Sequence, residues 1–174
     1  TPARKRGDHY VTIGRQLPYK RYDLAIKAAT RLNKKLIVFG NGPAHDQLVK
    51  LAGPTIEFRT DRFGDASDAE YEKAITTARG FIYPAEEDFG IVSVEALAAG
   101  APVIGLARGG TTDIVTSPDV GTLFHHQTVD DIVKAIEIAE QTRFHPSKLA
   151  RTAKRFDKGL FLTKIKKVVR DSIS

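Results

Sequence analysis

The residues best suited to chemistry in this chain are two carboxylates and two cations at short, defined spacings. Glu87 and Glu95 are separated by seven residues within EEDFGIVSVEALAAG. Gly90 lies between them; a residue without Cβ lets backbone approach a ligand and can open a helix whose first N–H groups are unpaired. Such a helix start attracts phosphate through its dipole and free donors. A carboxylate repels phosphate but accepts hydrogen bonds from sugar hydroxyls, so the combination suits a ligand carrying both groups. Arg15 and Lys20 stand in GRQLPYKR. One is a planar fork and the other a point charge, and both suit a diphosphate. Taken alone, each pair reads more readily as solvated surface: a loop acid with a helix acid, and a loose basic loop.

Other chemistries are less well provided for. The chain has no cysteine, which removes disulfides, thiolate metal sites and a cysteine nucleophile. Its five histidines lack metal-ligand spacing, and His125-His126 falls in an expected surface turn, so no metal site is expected. Gly40-Asn41-Gly42-Pro43 lacks the third glycine of a dinucleotide fingerprint, and Pro43 fits a turn into a helix as well. The net charge of +6 raises the question of nucleic acid. Basic residues concentrate only at Arg4, Lys5 and Arg6 and at Lys164, Lys166, Lys167 and Arg170, without interleaved aromatic stacking residues. These runs read first as solvated surface, then as a face for an anionic membrane or acidic partner; nucleic acid is not expected.

With 41% hydrophobic and 28% charged residues the composition is that of an ordinary soluble globular protein. No apolar stretch approaches the ~20 residues of a membrane span, and no signal peptide opens the chain. A cytoplasmic location is expected, peripheral to a membrane at most. The absence of methionine suggests a processed, excised or engineered part of something longer.

The elements that position these groups alternate between short apolar runs and helical periodicity, which signals an α/β fold. Strands are expected at 9–13, 35–39, 55–59, 80–83, 102–106 and 120–124. Helices are expected from Asp23 as cap, from Pro43 to about Ala52, from about Asp68 (capped by Ser67 or Asp68) to Ala78, over 90–99, near 112–115 and over 129–141. The last stretch, 146–173, reads as helical with a break near Gly159. Parallel strands joined by right-handed helical crossovers imply a three-layer, Rossmann-like domain over 9–174 with strand order 3-2-1-4-5-6, the first eight residues being a tail and 129–173 closing helices. In that geometry every loop leaving a strand converges on one sheet edge. The loops 14–20, 40–43, 59–63, 84–90 and 107–111 should therefore meet there.

Together the segments resemble a known family. The Glu87–Glu95 spacing resembles the E-x7-E motif of retaining glycosyltransferases of GT-B architecture, which include bacterial mannosyltransferases and sucrose and glycogen synthases. IGRQLPYKRYDLAIKAA resembles that family's diphosphate loop, VFGNGPAHDQLVKLA its second strand and turn, FIYPAEEDFG its strand-four exit, and GLARGGTTDIV its Gly-Gly-x-x-Glu turn. Asp113 departs from the last motif, standing one methylene shorter than glutamate.

The resemblance implies a nucleotide-diphosphate sugar as substrate, GDP- or UDP-linked, with no cofactor and no metal. It implies that Glu95 holds the ribose and Glu87 the transferred sugar, and that amides of Phe89, Gly90, Ile91 and Val92 touch sugar and diphosphate. Arg15 and Lys20, beside Gly14, would stabilise the departing diphosphate, which makes Arg15, Lys20 and Glu87 the expected catalytic set. Backbone at Arg59 and Thr60 would contact the base. A GT-B enzyme has two such halves, so an amino-terminal acceptor domain is an implied partner, with a membrane-surface or lipid-linked acceptor reached through it. The chain alone is then expected to bind without turnover. Two alternatives stand beside this: a non-catalytic or engineered half-domain scaffold, and a UDP-N-acetylglucosamine epimerase-like domain.

Overall fold

The apolar runs read from the sequence are strands of a covered parallel sheet, buried on both faces except for the half-buried edge strand at 56–59. A computed structural model describes residues 6–60 and 68–173. Its strands are β1 (His9–Ile13), β2 (Lys35–Phe39), β3 (Ile56–Arg59), β4 (Gly80–Tyr83), β5 (Val103–Leu106) and β6 (Gly121–Phe124). They form one parallel sheet of six strands in the order β3-β2-β1-β4-β5-β6, the order expected from sequence. The helices are α1 (Tyr22–Arg31), α2 (His45–Leu51), α3 (Asp68–Thr77), α4 (Ile91–Ala98), α5 (Thr111–Ile114), α6 (Val129–Gln141), α7 (Pro146–Ala153) and α8 (Lys158–Ser172).

The two-residue period of the strands divides the interior into two cores. Val11, Ile13, Phe81, Tyr83 and Val103 pack with Ile75 of α3, Leu97 of α4 and Leu149 of α7. Tyr10, Leu36, Val38, Ile82 and Ile104 pack on the opposite face with Ile26 of α1 and Ile132 and Ile136 of α6. Each large apolar side chain fully buried here contributes roughly 1.5–3 kcal/mol. After β1 the chain builds outward to β3, then returns to place β4 on the other side of β1. The loops leaving β1 and β4 therefore diverge in opposite directions and leave a crevice between them, the usual ligand position in such a sheet.

Several local expectations need correction. Asp23 does not cap α1: a 3-10 turn over Pro18–Lys20 runs into it, and Arg21, in the left-handed region (φ 52, ψ 37), takes the cap position. Asp23 sits in the first turn and accepts from Arg21 Nε at 3.0 Å. Pro43 lies in a turn before α2, which starts at His45. The break in the closing helices is at Asp157, whose carboxylate accepts from the Gly159 N–H at 2.7 Å and starts α8, so Gly159 is inside a helix. Ser67 and residues 61–63 lie outside the described residues, as do Thr1–Lys5 of the expected tail. Arg6 and Gly7 are tied down: Arg6 donates to the Thr76 carbonyl at 2.9 Å, and Gly7 N–H to that of Thr77 at 2.6 Å. Burial lowers the Arg6 guanidinium to about 10.

Candidate functional site

The crevice between β1 and β4 is where Lys20 and Glu87 meet. Lys20 arrives on the 3-10 turn after β1 and Glu87 on the loop after β4, and Lys20 Nζ pairs with Glu87 Oε1. Two tyrosines complete the arrangement. Tyr83, the last residue of β4, has a fully buried ring whose hydroxyl donates to Glu87 Oε2. Tyr19 donates to Oε1 at 3.1 Å, and the Lys20 ammonium lies 5.5 Å from its ring centroid. Burial by itself pushes the Glu87 carboxyl up. Hydrogen bonds from Lys20, Tyr83 and Tyr19, with the charge of Lys20, outweigh it and hold the group below its ordinary value. Burial, followed by the Glu87 carboxylate, pushes the Tyr83 phenol well up, so it stays a donor. Glu87 is thus an ionised acceptor at neutral pH, suited to hold hydroxyls and not to give up a proton.

Glycines bring the neighbouring loops this close. Gly90 caps α4 at φ 77, in the left-handed region that favours glycine, and a Cβ there would sit 3.3 Å from the Tyr83 ring. From the far side, the turn after β5 presses on the same loop: Gly110 N–H donates to the Glu87 carbonyl at 2.9 Å. A Cβ on Gly109 would lie 2.2 Å from that carbonyl oxygen. The Gly-Gly pair in GLARGGTTDIV is therefore a packing requirement of the Glu87 loop.

The expected residues are not all brought together. Gly14, Lys20, Glu87 and Gly90 share the crevice. Arg15 is exposed at its rim, and among the described residues its guanidinium has no partner. Glu95 lies one turn along α4, exposed, and accepts from Tyr71 of α3 at 3.4 Å. At ~1.5 Å rise per residue the α4 backbone from Ile91 to Glu95 spans about 6 Å. The amides of Phe89 to Val92 fall between the two acids along the chain. Arg59 ends β3 and pairs with Glu57; Thr60 follows it. His126 is paired with α6: its backbone N–H and ring Nδ1 both face Asp131 Oδ2, at 3.0 and 2.9 Å, in the first turn of that helix. No group of metal-ligating side chains is present among the described residues. No described helix is long and apolar enough to cross a membrane.

Sequence reading missed three contributors. Tyr19 and Tyr83 are described above. Gln16 is fully buried between the loops after β1 and β2, with Nε2 donating to the Gly40 carbonyl at 2.6 Å and Oε1 facing His45 Nδ1 at 2.8 Å. Its backbone also bridges them, from Gln16 N–H to the Asn41 carbonyl at 2.9 Å and from Ala44 N–H to the Gln16 carbonyl at 3.0 Å. A lone amide among charges in a loop was the available signal for it.

Comparison with known proteins follows the same lines. The family model for glycosyl transferases group 1 matches residues 2–156. The chain is 31% identical over 139 residues to the D-inositol 3-phosphate glycosyltransferase of Mycobacterium leprae (strain Br4923), covering 75% of this chain and 32% of that protein. It thus spans about a third of the length of the curated relatives it matches. Among solved structures, a glycosyltransferase from Rickettsia africae ESF-5 aligns with a TM-score of 0.79 at 14% identity, over 99% of this chain and 49% of that one. The pneumococcal O-GlcNAc transferase GtfA, solved with UDP and GlcNAc, aligns with a TM-score of 0.75 at 20% identity, over 97% and 36%. At these identities the structural likeness speaks for the fold.

Proposed function

The chain belongs to the glycosyl transferases group 1 family, and from that premise we propose that it is the donor-binding domain of a retaining glycosyltransferase. Its ligand in this reading is a nucleotide-diphosphate sugar, GDP- or UDP-linked. The parent enzyme moves a hexose such as mannose to a glycan or a lipid-linked acceptor at a membrane surface. Acceptor recognition falls to an amino-terminal domain outside this chain, so the chain binds donor and does not turn it over.

The observation that carries the reading is the meeting of Lys20 and Glu87 at the sheet's switch point, beside the start of α4. Glu87 accepts hydrogen bonds from the transferred sugar. The amides of Phe89, Gly90, Ile91 and Val92 and the cations Arg15 and Lys20 take the diphosphate. Negative charge grows on that group as the glycosidic bond breaks, and cations already in place stabilise it without reorganisation. Glu95, further along α4, accepts from the ribose hydroxyls, and backbone at Arg59 and Thr60 borders the base.

Thermal unfolding with GDP, UDP and ADP in turn tests this. One nucleotide should stabilise the chain saturably, by roughly 2.7 kcal/mol at a hundred times its Kd. Arg15→Met and Lys20→Met should each weaken that response. No response to any of the three would overturn the donor-site reading in favour of a scaffold.

A further inference from the structure

The hydrogen-bond inventory of Glu87 carries a consequence for how a donor is recognised, resting on the donor-site reading above. A carboxylate offers about four lone-pair positions. Here Lys20 and Tyr19 fill both positions on Oε1, and Tyr83 takes one of the two on Oε2. The cation meant for the diphosphate is therefore spent on the acid meant for the sugar. Lys20 and Glu87 are both largely withdrawn from solvent, their side chains 13% and 22% exposed, so the pair is a competitor for ligand and not a loose surface contact. Arg15, by contrast, is exposed and unengaged among the described residues.

We propose that Lys20 changes partner on donor binding, from Glu87 to the diphosphate, and so opens on Glu87 Oε1 the acceptor position that the sugar then fills. Tyr83 and Tyr19 are the positioning residues of this exchange. Their hydroxyls stay on Glu87 when Lys20 leaves, so the carboxylate keeps its orientation and is not left ionised without partners. The buried Tyr83 ring lies under Gly90, which links the aim of Glu87 to the start of α4. Two properties follow. A free monosaccharide finds both positions on Oε1 filled and a single one left on Oε2 beside Tyr83, so it cannot be gripped by both carboxylate oxygens and binds weakly. A nucleoside diphosphate without sugar must break the Lys20–Glu87 pair with nothing to fill the place Lys20 leaves on Glu87.

The test compares calorimetric affinities of the full chain for GDP with GDP-mannose, and for UDP with UDP-glucose. Apparent affinity falls by the fraction of molecules in which the competent state is absent. Glu87→Gln removes the competitor, so it should tighten the nucleoside diphosphate about fivefold while weakening the nucleotide sugar. Removing one negative charge could tighten any anion. In a Lys20→Met background the tightening should therefore vanish if it acts through Lys20 and persist if it is a general field effect. Tyr83→Phe should weaken the nucleotide sugar and leave the nucleoside diphosphate within about twofold, a split that a merely structural loss would not give. Weaker or unchanged diphosphate binding by Glu87→Gln, or tightening that persists without Lys20, overturns the exchange while leaving the donor site intact. Binding of neither pair by the unsubstituted chain overturns the donor-site reading and the exchange with it.

Discussion

The two acids of the E-x7-E spacing sit in unlike surroundings, although one short helix connects them. Glu87 is wired: a cation, two tyrosine hydroxyls and a glycine turn from another loop all converge on it or on its backbone. Glu95 is exposed, with one long hydrogen bond from Tyr71. At one end of the candidate site the carboxylate is already oriented by protein groups, and at the other it is left exposed. Firm orientation matters most where charge develops during reaction, since a group held in place once ligand is bound costs no reorganisation at that step. In the donor-site reading proposed above, the Glu95 end needs only to bind.

The contrast can be broken most forcefully at Gly110. A Cβ there would lie 2.3 Å from the Phe89 carbonyl oxygen and 2.6 Å from that of Asp88, so Gly110→Val must displace the Glu87 loop. A loss of roughly 3 kcal/mol or more is expected, seen as a lowered denaturant midpoint together with lost nucleotide binding. Glu95→Gln should stay within about 0.5 kcal/mol in the same measurement. Next in size is coupling. A double-mutant cycle of Lys20→Met with Glu87→Gln should return about 1 kcal/mol, because the pair is partly buried and its carboxylate is fixed by two further donors. The equivalent cycle of Tyr71→Phe with Glu95→Gln should fall below about 0.5 kcal/mol, given the 3.4 Å separation and the exposure of Glu95.

The smallest effect is on acid stability, and its sign is fixed. The folded-state pKa of Glu87 lies below its ordinary value, through its hydrogen bonds from Lys20, Tyr83 and Tyr19 acting against burial. Its contribution to stability is therefore present above the unfolded carboxyl pKa, near 4.3, and is lost as pH falls through the lower folded value. Unfolding titrations below about pH 5 should show a shallower acid loss for Glu87→Gln than for the parent chain. Glu140, lowered through Lys34 and Tyr10 against burial, keeps its own acid dependence in both proteins. An unchanged slope in the variant would mean that the Glu87 arrangement does not hold in solution.

How much of this could be read beforehand depends on the distance over which each feature is encoded. Strands β1, β2 and β4 are apolar runs bounded by turns, and the sheet order follows from their alternation with helices, so the fold was legible. The meeting of Lys20 and Glu87 was legible because loops leaving parallel strands share an edge. Tyr83 was not. In FIYPAEEDFG it reads as the apolar end of a strand, and only the chain path brings its hydroxyl back to an acid four residues on. Gln16 escaped for a related reason: its partners, Gly40 and His45, are remote in sequence. The Asp23 cap failed because the 3-10 turn at Pro18 sets the entry to α1, a local geometry that cap preference alone does not weigh.

Whether the crevice between β1 and β4 is a donor site is decided by where a nucleotide sugar touches the chain. Backbone amide spectra of the 174-residue protein should be followed as GDP-mannose or UDP-glucose is added. Saturable shifts are expected at Gly14 to Lys20, at Glu87 to Val92 and at Glu95, strongest around Lys20 and Glu87. Saturable shifts confined elsewhere, or none with either donor, would contradict the donor-site reading.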